Sequence, residues 1–214
     1  MTRIGVLGSA AVGQTLAAGL KTHQYDVRIA SRTPAKLADF SNKAGIQAGT
    51  FADVASWADG LVLAVKGSAA EAALREAGAA NLRGKPVVDT TNPISDEPPE
   101  DGVVRFFTSA NDSLLERLQK AFPDAKLVKA FNSVGNALMV NPVFPGNKPT
   151  MFYCGNDAKA KAEVARIIEQ FGWEPADMGT AKAARAIEPL CQLWCIPGFR
   201  ENRWTNHAFH LLRR

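Results

Sequence analysis

The chain has little cysteine, three residues in 214. Cys154, Cys191 and Cys195 are too few and too irregularly spaced for a disulfide framework or a zinc site. Free cysteine commonly behaves as a small buried apolar residue, although Cys191 and Cys195, four apart, could share one helix face. An apolar run of about 18 residues, the length a membrane-crossing helix needs, is also missing. The opening MTRIGVLGSAAVG lacks the ordered basic, apolar and cleavage regions of a secretory signal. The sequence is therefore read as cytoplasmic and not membrane-spanning. No block of like charge and no low-complexity tract appears, and the net charge of +4 comes from scattered basic residues. They show neither aromatic-basic alternation nor helix-turn-helix spacing, so nucleic acid is not indicated, and an anionic dinucleotide accounts for the mild excess. The terminal His210-Leu211-Leu212-Arg213-Arg214 reads as a solvated helix end.

What is present is an alternation. Apolar runs of about five residues, near 3–8, 26–30, 46–49, 60–65, 86–90, 103–107, 126–130, 150–154 and 174–177, read as strands. Helix-periodic stretches fall between them, near 12–22, 34–43, 68–80, 112–121 and 158–171. Pro34 suits a first helical turn after Thr33, Gly155-Asn156-Asp157 an entry and Gly172 a stop. Repeated βα units of this kind predict an α/β fold of the Rossmann type, with a doubly wound, mostly parallel sheet. The length allows one such domain, over 1–178, plus a short helical segment over 179–214. That segment reads as two helical pieces broken at Pro197-Gly198. Its aromatic, apolar character requires a partner surface, either its own sheet or a second copy in a homodimer.

The first strand runs into Gly8-Ser9-Ala10-Ala11-Val12-Gly13, which opens a helix, the context in which a dinucleotide fingerprint has physical meaning. Gly8 permits the tight turn, Gly13 permits close helix-sheet contact, and the free N–H groups of the helix start face a pyrophosphate. Ala10 replaces the middle glycine. An NAD-binding protein would place an acid for the ribose hydroxyls at the end of the second strand. Here Ser31-Arg32 stands there, with Lys36 four residues on, a set that suits a 2′-phosphate and predicts NADP(H). Three later loops qualify for the far end of the cofactor: Val65-Lys66-Gly67-Ser68, Thr90-Thr91-Asn92-Pro93 and Ala130-Phe131-Asn132-Ser133.

The glycine loop, Ser31-Arg32 with Lys36, Asp89-Thr90-Thr91-Asn92-Pro93, and Lys129-Ala130-Phe131-Asn132 with Ser133 to Gly135 together carry a resemblance. The chain is similar to the NADP-dependent reductases of coenzyme F420, a deazaflavin, and to the related oxidoreductase domain of the STEAP metalloreductases. The resemblance implies a dinucleotide domain with a small carboxyl-terminal lobe, in which NADPH passes hydride to a flavin-like ring. It places Asn92-Pro93 and Ala130-Phe131-Asn132 at the edge of the reaction site. The sequence departs from that pattern at Ala10 and in the Trp-rich terminal segment.

Transfer between a nicotinamide and a flavin-like ring needs no obligatory protein acid or base. A dehydrogenase acting on an alcohol or ketone would need a proton donor. The three histidines, His23, His207 and His210, and the two tyrosines, Tyr25 and Tyr153, are poorly placed for that, and neither tyrosine has a lysine four residues on. Lys66 and Lys129 are better placed but equally suit structural or phosphate roles. No catalytic and no metal-binding residue is therefore named. The expected activity is an NADPH-dependent oxidoreductase with coenzyme F420 or a flavin as acceptor. The alternatives are a flavin-mediated ferric or cupric reductase and a non-catalytic NADP(H) sensor.

Overall fold

The computed structural model describes residues 1–214. Eight strands form one sheet in the order β3-β2-β1-β4-β5-β6-β7-β8. They are β1 (Arg3–Leu7), β2 (Asp26–Ala30), β3 (Gln47–Gly49), β4 (Gly60–Leu63), β5 (Pro86–Asp89), β6 (Lys126–Lys129), β7 (Thr150–Gly155) and β8 (Glu174–Asp177). Neighbours are parallel from β3 through to β6, and only β6 and β7 are antiparallel, so β7 and β8 run opposite to the rest. The order reverses between β1 and β4, which opens a crevice at the carboxyl ends of those strands.

Both faces of the sheet are covered, which is why its strands read as continuous apolar runs. Val62, Val88 and Val128 face one core. Leu61, Leu63, Val87 and Leu127 face the other. The connecting helices are α1 (Ala11–Thr22), α2 (Ala38–Ala44), α3 (Phe51–Trp57), α4 (Ala70–Ala77), α5 (Ala79–Leu82), α6 (Leu114–Ala121) and α7 (Ala158–Gln170). Asp157 caps α7 by accepting the Ala160 N–H at 2.9 Å, and Gly172 follows the helix with φ +86°. Helix α3 lies in a stretch too short to show a clear period, and is fixed instead by its cap, the Thr50 hydroxyl accepting the Asp53 N–H.

Three expected elements differ. Residues 103–107 form no strand, only single bridges, Ile94 to Phe106 and Glu100 to Val103, in an excursion that turns at Asp101 and Gly102. Its apolar run serves loop packing, and Val104 offers its carbonyl to the Gln192 side chain at 2.8 Å. The terminal segment is not broken at Pro197-Gly198. After a short α8 (Ala184–Ile187), α9 (Pro189–Glu201) runs through both residues and ends at Asn202, which adopts the left-handed conformation. Proline costs a helix one hydrogen bond and a local clash, and here the helix continues for only one further turn. Gly198 is required by the ring of Trp204, which would lie 2.3 Å from an added Cβ.

Beyond α9 the chain is not helical, so the predicted helix end at His210 to Arg214 is absent. The tail lies back on its own body. Trp194 donates its indole N–H to the His207 carbonyl at 3.0 Å, while Thr150 N–H donates to Phe209 and the Thr150 hydroxyl accepts the Leu211 N–H. The three cysteines are buried. Burial pushes the Cys154 thiol up to about 12. No helix is long and apolar enough to cross a membrane.

Candidate functional site

A cleft of about 660 Å³ opens at the reversal of strand order. Its base is the turn between β1 and α1. Gly8 has φ +140°, and a side chain there would sit 2.1 Å from the Ala64 carbonyl oxygen. An added Cβ on Gly13 would sit 2.1 Å from the Gly8 carbonyl, so both glycines are required by close backbone approach. Ala10 has ordinary extended geometry, φ −81°, which explains why alanine serves where a third glycine was expected. It also stands at the N-cap of α1 without a side-chain cap, and the first turn holds no acidic residue. The first N–H groups of a helix have no partner within it, so this uncapped start is free to bind an anion.

At one end of the cleft stand Ser31, Arg32, Thr33 and Lys36. Ser31 is buried and its hydroxyl accepts the Thr33 N–H at 3.1 Å, which folds the chain sharply after β2. Arg32 and Lys36 are exposed, and neither takes part in any ion pair. Two unpaired cations beside a hydroxyl suit a dianionic group. Phe51 and the α4 residues Ala72, Ala73 and Glu76 line the same cleft.

The other end is formed by the loops after β4 and β5. Val65, Lys66, Gly67, Thr90, Thr91, Asn92 and Ile94 line it. Gly67 approaches so closely that an added Cβ would lie 1.8 Å from the Asn92 carbonyl. Lys66 is paired with Asp96 on the excursion after β5, and both side chains are exposed.

Beneath these loops lies a buried network of charge. Lys129 is 0% exposed and lies 2.7 Å from Asp89 and 3.0 Å from Glu188. It also donates a hydrogen bond to the Thr91 carbonyl at 2.7 Å. Asp89 accepts from both the backbone N–H and the hydroxyl of Thr91, and Glu188 accepts the Leu114 and Leu115 N–H groups at the start of α6. Burial works to pull the lysine down, but the two carboxylates outweigh it and hold Lys129 above the usual lysine range. It therefore stays an ammonium and braces the loop.

Of the residues expected to hold a cofactor, Gly8, Ser9, Ala10, Val12, Ser31, Arg32, Lys36, Val65, Lys66 and Asn92 line the cleft. Ala11, Gly13, Pro93, Ala130, Phe131 and Asn132 do not. Asn132, 3% exposed, acts from behind: it donates to Asn92 Oδ1 at 3.0 Å and to the Ile187 carbonyl at 3.1 Å, while Asn92 donates back to its carbonyl at 2.7 Å. Phe131 holds a left-handed backbone, φ +59°, costly for a bulky residue, and its ring packs 5.7 Å from that of Phe171. Sequence reasoning missed Glu188, Asp96, Phe51 and Glu76. Only the small-residue spacing of Ala69, Ala72 and Ala73 could have pointed to that wall.

Comparison with known proteins agrees with this geometry. Residues 3–93 match the family described as NADP oxidoreductase coenzyme F420-dependent. A crystal structure from Arthrobacter sp. FB24, provisionally assigned as an F420-dependent NADP-reductase, is 35% identical with a TM-score of 0.92, and each chain covers 100% of the other. A hypothetical protein of Sinorhizobium meliloti is 28% identical with a TM-score of 0.75, over 88% of this chain and 90% of that one. The rat metalloreductase STEAP3 is 30% identical over 201 residues, 91% of this chain, which spans only 38% of that protein's length. The chain belongs to the coenzyme F420-dependent NADP oxidoreductase family and is an NADP-dependent oxidoreductase.

Proposed function

We propose that this protein moves hydride between NADPH and a planar flavin or deazaflavin ring. The glycine turn and the α1 start would hold the pyrophosphate, and Ser31, Arg32 and Lys36 the 2′-phosphate. The Asn92 end would hold the nicotinamide. When bound, the cofactor supplies the hydride. The chain's own residues orient the rings, and proximity of this kind can supply roughly 7–11 kcal/mol of a barrier.

One observation carries the reading. At the Asn92 end the polar groups are amides and hydroxyls and one exposed ammonium, Lys66, paired with Asp96, while the ammonium beneath them, Lys129, is buried, ion-paired with Asp89 and Glu188 and bonded to the Thr91 carbonyl. Neither ammonium is a free proton donor, Lys66 being held by Asp96 and Lys129 being buried, which suits an acceptor that takes hydride directly. Anaerobic stopped-flow mixing with NADPH and, in turn, F420, FMN, FAD and a ferric chelate tests it. Rapid NADPH oxidation with F420 or a flavin is expected. Oxidation by ferric chelate only when flavin is added would favour the metalloreductase reading, which the likeness to STEAP3 supports. NADPH oxidation unchanged by every acceptor would leave a binding sensor. Leu193 and Phe199, 56% and 47% exposed on α9, support a homodimer, which light scattering across dilution would check.

A further inference from the structure

Glu76 is a carboxylate in a cleft otherwise built for an anion. It lines the same cavity as Arg32 and Lys36, yet lies too far from either to form an ion pair. The adjacent Arg75 is engaged elsewhere, with Glu71. Glu76 therefore faces open cleft without a partner of its own. Near a dianionic phosphate such a group is unfavourable unless it meets a donor.

Its setting indicates which donor. Ala69, Ala72, Ala73 and Glu76 recur at the three- and four-residue spacing of one helical face. All four line the cavity. Methyl groups leave that face flat, and Arg32 enters the cavity from a different element, the loop after β2. A planar ring fits between a flat apolar wall and a guanidinium. Glu76 is the last residue of the row, whereas Ala64 and Val65, just before its first residue, Ala69, lie against Gly8 of the glycine turn. Of the common purines, adenine places a donor, its 6-amino group, where hypoxanthine places an oxygen that a carboxylate would repel.

We propose that Glu76 is a specificity-determining residue that accepts a hydrogen bond from the 6-amino group of adenine and so selects an adenine dinucleotide over a 6-oxopurine one. The proposal rests on the NADP(H) reading of the cleft. A hydrogen bond to a charged group corresponds to about tenfold or more in affinity.

Titrations of the wild-type protein, Glu76→Ala and Glu76→Gln with NADPH, its hypoxanthine analogue and NADH test it. The wild type should favour NADPH over the analogue by about tenfold. That ratio should fall towards one in Glu76→Ala and at least as far in Glu76→Gln, whose amide can donate to a 6-oxo group. The NADPH over NADH preference should stay unchanged in both variants. Glu76 is exposed, so the variants should fold, and thermal melts would verify it. If the wild type binds both purine forms equally, or if the variants lose affinity for both by the same factor, the role of Glu76 is overturned while the cofactor reading stands. If no dinucleotide binds the wild type, both fall together.

Discussion

At the Ser31-Arg32 end of the cleft the cations are exposed and unpaired, whereas beneath the Asn92 end each ionised group is buried and matched. The first arrangement costs the folded protein little and leaves Arg32 and Lys36 free to answer to a ligand's charge. The second fixes a loop before any ligand arrives: Lys129, Asp89 and Glu188 hold Thr91, and Asn132 holds Asn92. Affinity should therefore reside at one end and ring placement at the other. Substitutions at the two ends should separate Kd from kcat.

The largest effect is expected from Lys129→Met. It strands two buried carboxylates, and breaking such a network costs about 3–5 kcal/mol. Urea unfolding should show that loss. A loss under about 1 kcal/mol, the range of an exposed pair, would break the contrast between the two ends. Next in size is Arg32→Ala, for which we expect a loss of NADPH affinity of about thirtyfold with NADH binding barely altered, read by fluorescence titration. An equal loss for both cofactors would show that Arg32 does not read the 2′-phosphate.

Asn132→Ala should sharpen the comparison from the other side. Removing the buried amide frees Asn92, so kcat should fall about tenfold while the Kd for NADPH moves by less than about threefold. A pure loss of affinity would place Asn132 with the binding set. The smallest effect is expected from Asp96→Asn. Releasing Lys66 should tighten NADPH about twofold at low ionic strength, and the gain should vanish in high salt because the pair is exposed.

How much of this was legible in the sequence follows from the range of each interaction. Gly8, Gly13 and the Ser31-Arg32 pair sit beside the strands that position them, so local pattern revealed them. The apolar strand runs revealed the doubly wound sheet for the same reason. Glu188 could not be found in this way, because its partners, Lys129 and the start of α6, meet it only through tertiary packing. Asn132 was recognised as a loop amide, but a loop motif does not say whether such an amide faces the cleft or, as here, bonds to a neighbour that does. Pro197 looked like a helix end because proline propensity is a local rule, while the helix around it is held by the packing of Trp194 and Gly198. Val103 to Phe107 looked like a strand because apolar residues beneath a loop have no period of their own.

Glu188 also sets an order of events. The glycine turn, the cations after β2 and the loop after β5 all belong to the first half of the chain, but the second carboxylate on Lys129 arrives close to its end. During synthesis, the ammonium that holds Thr91 has only Asp89 to balance it until α8 has emerged. Arg32 and Lys36 depend on no such late partner. On the proposed reading, a chain interrupted before α8 would carry the groups that bind the dinucleotide without the finished brace beneath Asn92, so grip on the cofactor would precede competence to use it.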